Sequence, residues 1–285
     1  MKKKGKVAIM PKAENNEKTQ RVFNLIILDE SGSMSTIAKQ AVSGLNETFQ
    51  TIRNAQKEHQ EQQHFITFVT FNSARIRTVM NRQAVDCDKK LTWTDYRPDE
   101  CTPLYDAMGR SLNDLKYHVG NEDVVLVTII TDGYENASRE FDGHSIKKLV
   151  AQLKEKGWVF AYIGTNQDVD AVADGMGIRS RMSYEYSGTG AECMFDIESC
   201  SKKRFYDRLH HEGRAFMTKA CYDYFSPDEP KIEEPEKEHD VVCDVTKVET
   251  DDDEKSIGLL QRIVKRLTLM LIMFMIATTC QLLQR

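Results

Sequence analysis

The sequence predicts an α/β domain of three layers, Rossmann-like, with a mostly parallel central sheet, one antiparallel strand and helices on both faces. Three observations carry this. Apolar runs of strand length alternate with segments whose apolar residues recur at helical spacing. Val124–Ile130 is almost wholly apolar, as a central strand covered on both faces must be. His64–Phe71 and Ala74–Met80 are separated only by Asn72-Ser73, too short a link for anything but an antiparallel hairpin.

Val22–Leu28 reads as the first strand, interrupted only by Asn24. Thr36–Glu58 follows as a helix with Ile37, Ala41, Leu45, Phe49 and Ile52 on one face. After the hairpin, Pro103–His118 is helical, with Leu104, Met108, Leu112 and Leu115 in register. Beyond Val124–Ile130 come a helix over Ser145–Lys156, a strand at Trp158–Ile163 and a short helix at Val169–Met176. Ser180–Tyr186 reads as an edge strand and Ala191–His211 as the last helix. The expected organisation is a basic arm over residues 1–20, the domain over 21–225, an acidic linker over 226–255 and a hydrophobic helix over 256–285.

Charge is segregated along the chain. The net of −5 combines −9 over residues 226–255 with +4 over 256–285, which leaves residues 1–225 neutral and without an electrostatic footprint for nucleic acid. The Pro, Glu, Asp and Lys of the linker cannot bury a core. Seven scattered cysteines without a CxxC argue against a disulfide framework or a zinc site and favour a reducing, cytosolic compartment. Only Val7–Met10 is apolar near the start, too little for a secretory signal.

Three short motifs fall at one end of the sheet. Asp29-Glu30-Ser31-Gly32-Ser33 begins where Leu25–Leu28 ends, Thr102-Pro103-Leu104-Tyr105-Asp106-Ala107 opens a helix, and Thr131-Asp132-Gly133 follows Val124–Ile130. Open parallel sheets bind ligands beyond the carboxyl ends of their strands. Carboxylates and hydroxyls are hard oxygen ligands suited to Mg²⁺ or Mn²⁺. Gly32 allows the turn that points both serine hydroxyls at one place. Taken singly, the motifs have ordinary readings: serine caps, a Thr102-Pro103 helix start, an Asp132-Gly133 turn. Taken together and in order, they make Asp29, Ser31, Ser33, Thr102 and Asp132 a metal site.

The order DxSxS, a threonine opening a helix about 70 residues later and an Asp-Gly after an apolar strand resembles the von Willebrand factor A (VWA) family over roughly residues 21–215. The resemblance implies a metal-ion-dependent adhesion site (MIDAS). In such a site Ser31, Ser33 and Thr102 touch the ion, Asp29 and Asp132 act directly or through water, and an Asp or Glu of a protein partner completes the octahedron. Three neutral hydroxyls and two partly outer carboxylates leave the ion electrophilic enough to attract that carboxylate. The family often places Gly just before the threonine, where this chain has Glu100-Cys101.

The remaining candidates read as structural. Cys101 is expected to be a packed small residue, Tyr134 and Glu135 solvated rim residues, and Lys203, Arg204 and Arg208 a solvated helix face. The histidines show no metal spacing, and His210-His211 reads as a surface pair. The function expected is a non-enzymatic, cation-dependent protein-interaction module in the cytosol. A metal-assisted hydrolase or phosphoryl-transfer enzyme is the alternative, but no general base stands at motif spacing and no glycine-rich phosphate loop occurs. A second alternative is an RNA-associated module, although no RNA-binding domain accompanies the motifs.

Leu267–Cys280 is a run of fourteen residues without a charge. Extended to Leu283 it makes about 25 Å of helix, against a bilayer core of about 30 Å. Arg262, Lys265 and Arg266 lie on the domain side, as the positive-inside rule expects of a transmembrane tail anchor under a cytosolic body. The spacing of Ile257, Leu260, Val264 and Leu267 also fits a helix lying on a membrane surface, or one packed on a partner. Membrane contact through this segment is the expectation.

Overall fold

The computed structural model describes residues 19–85, 90–92, 94–218 and 224–226. The basic arm up to residue 18, the acidic linker and the hydrophobic segment lie outside the described residues, as do Cys87, Cys221, Cys243, Cys280 and His239. Among the described residues no helix is long and apolar enough to cross a membrane.

Six strands form one sheet: β1 (Gln20–Asp29), β2 (Gln62–Asn72), β3 (Arg75–Ala84), β4 (Val124–Ile130), β5 (Val159–Gly164) and β6 (Ser180–Ser183). Their order is β3-β2-β1-β4-β5-β6. All neighbours are parallel except β2 and β3, which pair antiparallel. Five helices cover the two faces: α1 (Ala38–Glu58), α2 (Leu104–Lys116), α3 (Gly143–Glu155), α4 (Val169–Gly175) and α5 (Gly188–Glu212). The three-layer α/β architecture read from the alternation of elements is therefore the one observed.

Strand pleating divides the core. Val22, Ile26 and Leu28 of β1 join Leu45, Phe49, Phe195 and Phe205 of α1 and α5. Phe23, Leu25 and Ile27 join Leu104, Met108, Leu112, Ile146 and Val150 of α2 and α3. Every residue of β4 is buried, because helices pack on both of its faces. Helix α1 crosses α5 closely at Gly44, where a Cβ would lie 2.2 Å from the Phe195 ring. Between α5 and the sheet lies a fully buried ion pair, Lys202 Nζ to Glu198 Oε1 at 2.9 Å, next to the Thr128 hydroxyl.

Several boundaries differ from the sequence reading. A 3-10 turn, Gly32–Ile37, precedes α1, so the helix starts at Ala38 rather than Thr36. β3 continues to Ala84, with irregular pairing near Ile66 and Phe68 of β2. β6 stops at Ser183 instead of Tyr186. The chain then turns into α5, whose first turn is capped by the Ser187 hydroxyl accepting from the Gly190 amide at 3.0 Å. Gln20, expected in the arm, already pairs in β1. The basic face expected at Lys203, Arg204 and Arg208 is engaged: Lys203 approaches Glu58, Arg204 donates to the Ser201 hydroxyl, and Arg208 pairs with Glu212 and lies over the Phe216 ring.

Candidate metal centre

The strand order sets the site. Chain connections leave β1 toward β2 on one side and reach β4 on the other, so loops diverge between β1 and β4 and open a crevice above their carboxyl ends. Asp29 ends β1, and Thr131-Asp132-Gly133 follows β4 directly. Both motifs therefore stand side by side at that crevice.

The hydroxyls converge there. Ser31 Oγ and Ser33 Oγ are 3.1 Å apart, and Ser33 Oγ donates to Asp132 Oδ1 at 2.6 Å. A Cβ on Gly133 would come within 3.7 Å of Thr102 Oγ1 and 3.8 Å of Ser33 Oγ. The glycine thus leaves open the space these two hydroxyls border. All five residues predicted from the sequence meet at this point.

Both acids are buried. Asp29 Oδ1 accepts from the Ser31 amide at 2.7 Å and Oδ2 from the Thr131 hydroxyl at 2.6 Å. Desolvation nonetheless pushes the Asp29 carboxyl up to about 6, with nearby Asp132 adding to the rise and the Thr131 and Ser31 bonds opposing it. Burial also raises Asp132, against the hydrogen bond from Ser33. Asp132 Oδ2 is buried without a hydrogen-bond partner. Two carboxyls held from water, one with an oxygen that has no partner, make a donor set short of positive charge. That set fits a small, hard divalent cation.

The loop before α2 is fastened to the loop after β1 by a residue the sequence reading passed over. Glu30, at the second place of DxSxS, is fully buried. Its Oε1 accepts from Arg75 Nη2 at 2.9 Å and the Arg97 amide at 2.7 Å, while its carbonyl accepts from the Asp99 amide at 3.0 Å. The Tyr96 hydroxyl donates to the Asp29 carbonyl at 2.7 Å, and Gly32 donates to the Glu100 carbonyl at 2.9 Å. Glu100 adopts φ 67°, in the left-handed region where a residue with a Cβ is strained. Its carboxylate takes the Ser73 hydroxyl at 3.4 Å, which turns it toward the β2–β3 hairpin.

The rim departs from expectation. Glu135, read as a solvated residue, folds inward. It accepts from the amides of Tyr105, Ala137 and Ser138 and from the Ser138 hydroxyl. Asp106 accepts from the amides of Arg139, Glu140 and Phe141; these bonds outweigh its burial and lower its pKa. Asn136 clasps Thr102 by exchanging side-chain and backbone bonds of 2.8 and 3.1 Å. Tyr134 is exposed, as expected, and its hydroxyl accepts from the Asp168 amide. Cys101 is exposed rather than packed, because its backbone is used by Ser73 while its side chain faces outward. Tyr186 donates to the Ser33 carbonyl from the α5 side. The Tyr-Glu-Tyr alternation after β6 was the only sequence sign of that second wall. A cleft of about 660 Å³, lined in part by Ser73, Arg75, Cys101, Pro103, Arg110 and Arg139, runs beside Thr102.

No family model matches the chain, and no curated protein is similar to it in sequence. Among solved structures it is similar to a variant of the PilB minor pilin from Streptococcus sanguinis, at 11% identity and TM-score 0.48, covering 70% of this chain and 65% of the pilin. A von Willebrand factor type A protein from Catenulispora acidiphila is 14% identical with TM-score 0.44, covering 65% of this chain and 43% of that one. The manganese-loaded TRAP protein of Plasmodium vivax is 13% identical with TM-score 0.40, covering 62% and 72%. The chain thus spans less than two thirds of the pilin and less than half of the Catenulispora protein.

The electrostatics predict a stability signature. A carboxyl raised from 3.8 to about 6 favours the metal-free fold below pH 3.8, and that contribution is lost as pH rises through about 6. The loss amounts to about 3 kcal/mol. Asp29→Asn should therefore stabilise the metal-free protein at pH 7.5, by about 1–3 kcal/mol in urea unfolding; any stabilisation the parent gains from Mg²⁺ should be lost in the variant. A variant that is less stable than the parent, or still responds to Mg²⁺, contradicts this account.

Proposed function

We propose that the chain is a cation-dependent protein-interaction module of MIDAS type, not an enzyme. Ser31, Ser33 and Thr102 would hold Mg²⁺ or Mn²⁺ through their hydroxyls, with Asp29 and Asp132 bonding directly or through water. The bound ion would supply a Lewis-acidic point that captures an Asp or Glu carboxylate of a protein partner. The observation that carries this reading is the orphaned, buried Asp132 Oδ2 beside buried Asp29, in a space that Gly133 keeps open to the Ser33 and Thr102 hydroxyls. The ordered motifs resembling VWA domains support it independently. Glu100, the residue best placed by sequence to compete for the ion, is engaged with Ser73. The cleft beside Thr102 gives an extended partner segment somewhere to lie.

A displayed library of Asp- and Glu-bearing peptides, selected on the protein in Mg²⁺, tests this directly. Selected peptides should lose binding in EDTA and on Thr102→Ala, yet change little with salt, since a direct bond to a partly desolvated ion is screened far less than a surface ion pair. Thr102→Ala alters no formal charge, so a long-range electrostatic contact would survive it. Binding that persists in EDTA places the partner surface elsewhere.

We further propose that the protein works on the cytosolic side of a membrane, tethered through residues 256–285. The uncharged run with basic residues on one flank supports this. Deleting residues 256–285 should move the protein from the membrane pellet to the supernatant. A full-length chain that stays in the supernatant without detergent contradicts the tether.

A further inference from the structure

At the opposite end of the sheet the fold gathers a second set of metal-binding side chains. Helix α1 ends at Glu58, and the turn His59–Gln62 leads into β2; the His59 amide donates to the Ala55 carbonyl and the Gln62 amide to the His59 carbonyl. That tight turn brings His59 and Glu61 together. Helix α5 runs back along the same face and ends there, presenting Asp207 and His210, which at a spacing of three share one side of the helix. Gln62 Nε2 donates to the Tyr206 carbonyl at 3.0 Å and locks the turn to the helix.

The side chains meet closely. One donor atom from each of His59, Glu61 and His210 lies within 4.8 Å of the other two. Glu58, His59 and Asp207 form an adjoining set at the same spacing. His59 Nε2 is 2.8 Å from Asp207 Oδ1, His210 Nδ1 is 2.6 Å from Glu61 Oε1, and the two imidazoles stack with centroids 4.7 Å apart. His59 is buried, whereas the His210 side chain is 43% exposed.

We propose that His59, Glu61 and His210, with Asp207 adjoining, form a second metal site for a transition ion of the Zn²⁺ class. The donor chemistry separates it from the site above β1 and β4. Two imidazoles with carboxylates suit Zn²⁺ and its neighbours, whereas hydroxyls and carboxylates alone suit Mg²⁺ and Mn²⁺. A shared ion uses both rings in their neutral form and balances both carboxylates. Tetrahedral Zn²⁺, with bonds of about 2.0–2.1 Å to nitrogen, needs its ligand atoms roughly 3.3–3.5 Å apart. A rotation of the half-exposed His210 side chain would bring the three atoms, now between 2.6 and 4.8 Å apart, to that spacing. The ligands then come from two separate segments: His59 and Glu61 from the α1–β2 turn, and His210 with Asp207 from the end of α5. A bound ion clamps α5 to the α1–β2 turn. β1 is ten residues long, so the two sites stand about 30 Å apart and load independently.

The test is a titration of the full chain with Zn²⁺ and with Co²⁺, followed by calorimetry, thermal melting and the visible Co²⁺ spectrum. The parent should bind one Zn²⁺ tightly at this site and melt several degrees higher. Its Co²⁺ complex should show tetrahedral visible bands without thiolate charge transfer, which rules out the exposed Cys101, Cys193 and Cys200 as ligands. His210→Ala and Glu61→Gln, both at partly exposed positions, should melt like the parent without metal and lose Zn²⁺ affinity at least tenfold. Asp29→Ala should leave Zn²⁺ binding unchanged. Unchanged affinity in both His210→Ala and Glu61→Gln, or a thiolate band in the parent Co²⁺ spectrum, overturns the proposal.

Discussion

Two carboxylates buried at the ends of adjacent parallel strands are the constraint around which this domain is arranged. β1 and β4 pair through Leu28 and Ile130, so Asp29 and Thr131 come next in register and Asp132 one step beyond. Ionised carboxylates in such a place carry a desolvation penalty of several kcal/mol each unless charge or hydrogen bonds answer them. Asp29 receives two short bonds and is still raised to about 6; Asp132 keeps one oxygen unanswered. A fold that only needed stability would fill this crevice with apolar side chains.

The surroundings follow from that constraint. The Thr131 hydroxyl and Ser31 amide hold the Asp29 oxygens, and Ser33 ties Asp132 to the loop after β1. Glu30, one residue beyond Asp29, binds Arg75 and the Arg97 amide through Oε1, and in doing so anchors the loop that delivers Thr102. Asn136 and Glu135 then fix Thr102 and the first turn of α2 from the other side. Each of these contacts is structural, but together they aim three hydroxyls at one small space.

The sheet, and the gathering of the five candidate residues at one end of it, were legible in the sequence because both depend on local chemistry. Alternating apolar periods mark strands and helices, and a hydroxyl or carboxylate directly after a strand end leaves little choice of position. What escaped was set by distant partners. Glu30 looked like a spacer within DxSxS, and only the arrival of Arg75 and Arg97 shows its role. Glu135 reads as a rim acid and Asp106 carries no role of its own in the sequence reading, yet each takes several backbone amides of residues 137–141 or the start of α2. Lys202, buried with Glu198, could not be told from the exposed Lys203 beside it by composition alone. His59, Glu61 and His210 show no motif because the first two reach the third across about 150 residues of chain.

The central claim is that the hydroxyls of Ser31, Ser33 and Thr102 hold a hard divalent cation between Asp29 and Asp132. The most direct measurement is a crystal structure of the protein soaked in Mn²⁺, with anomalous differences collected near the manganese edge. The account predicts a peak above β1 and β4, at bonding distance from the three hydroxyls and with Asp132 Oδ2 turned toward it. A map with no peak there, or with manganese only at His59 and His210, would contradict it.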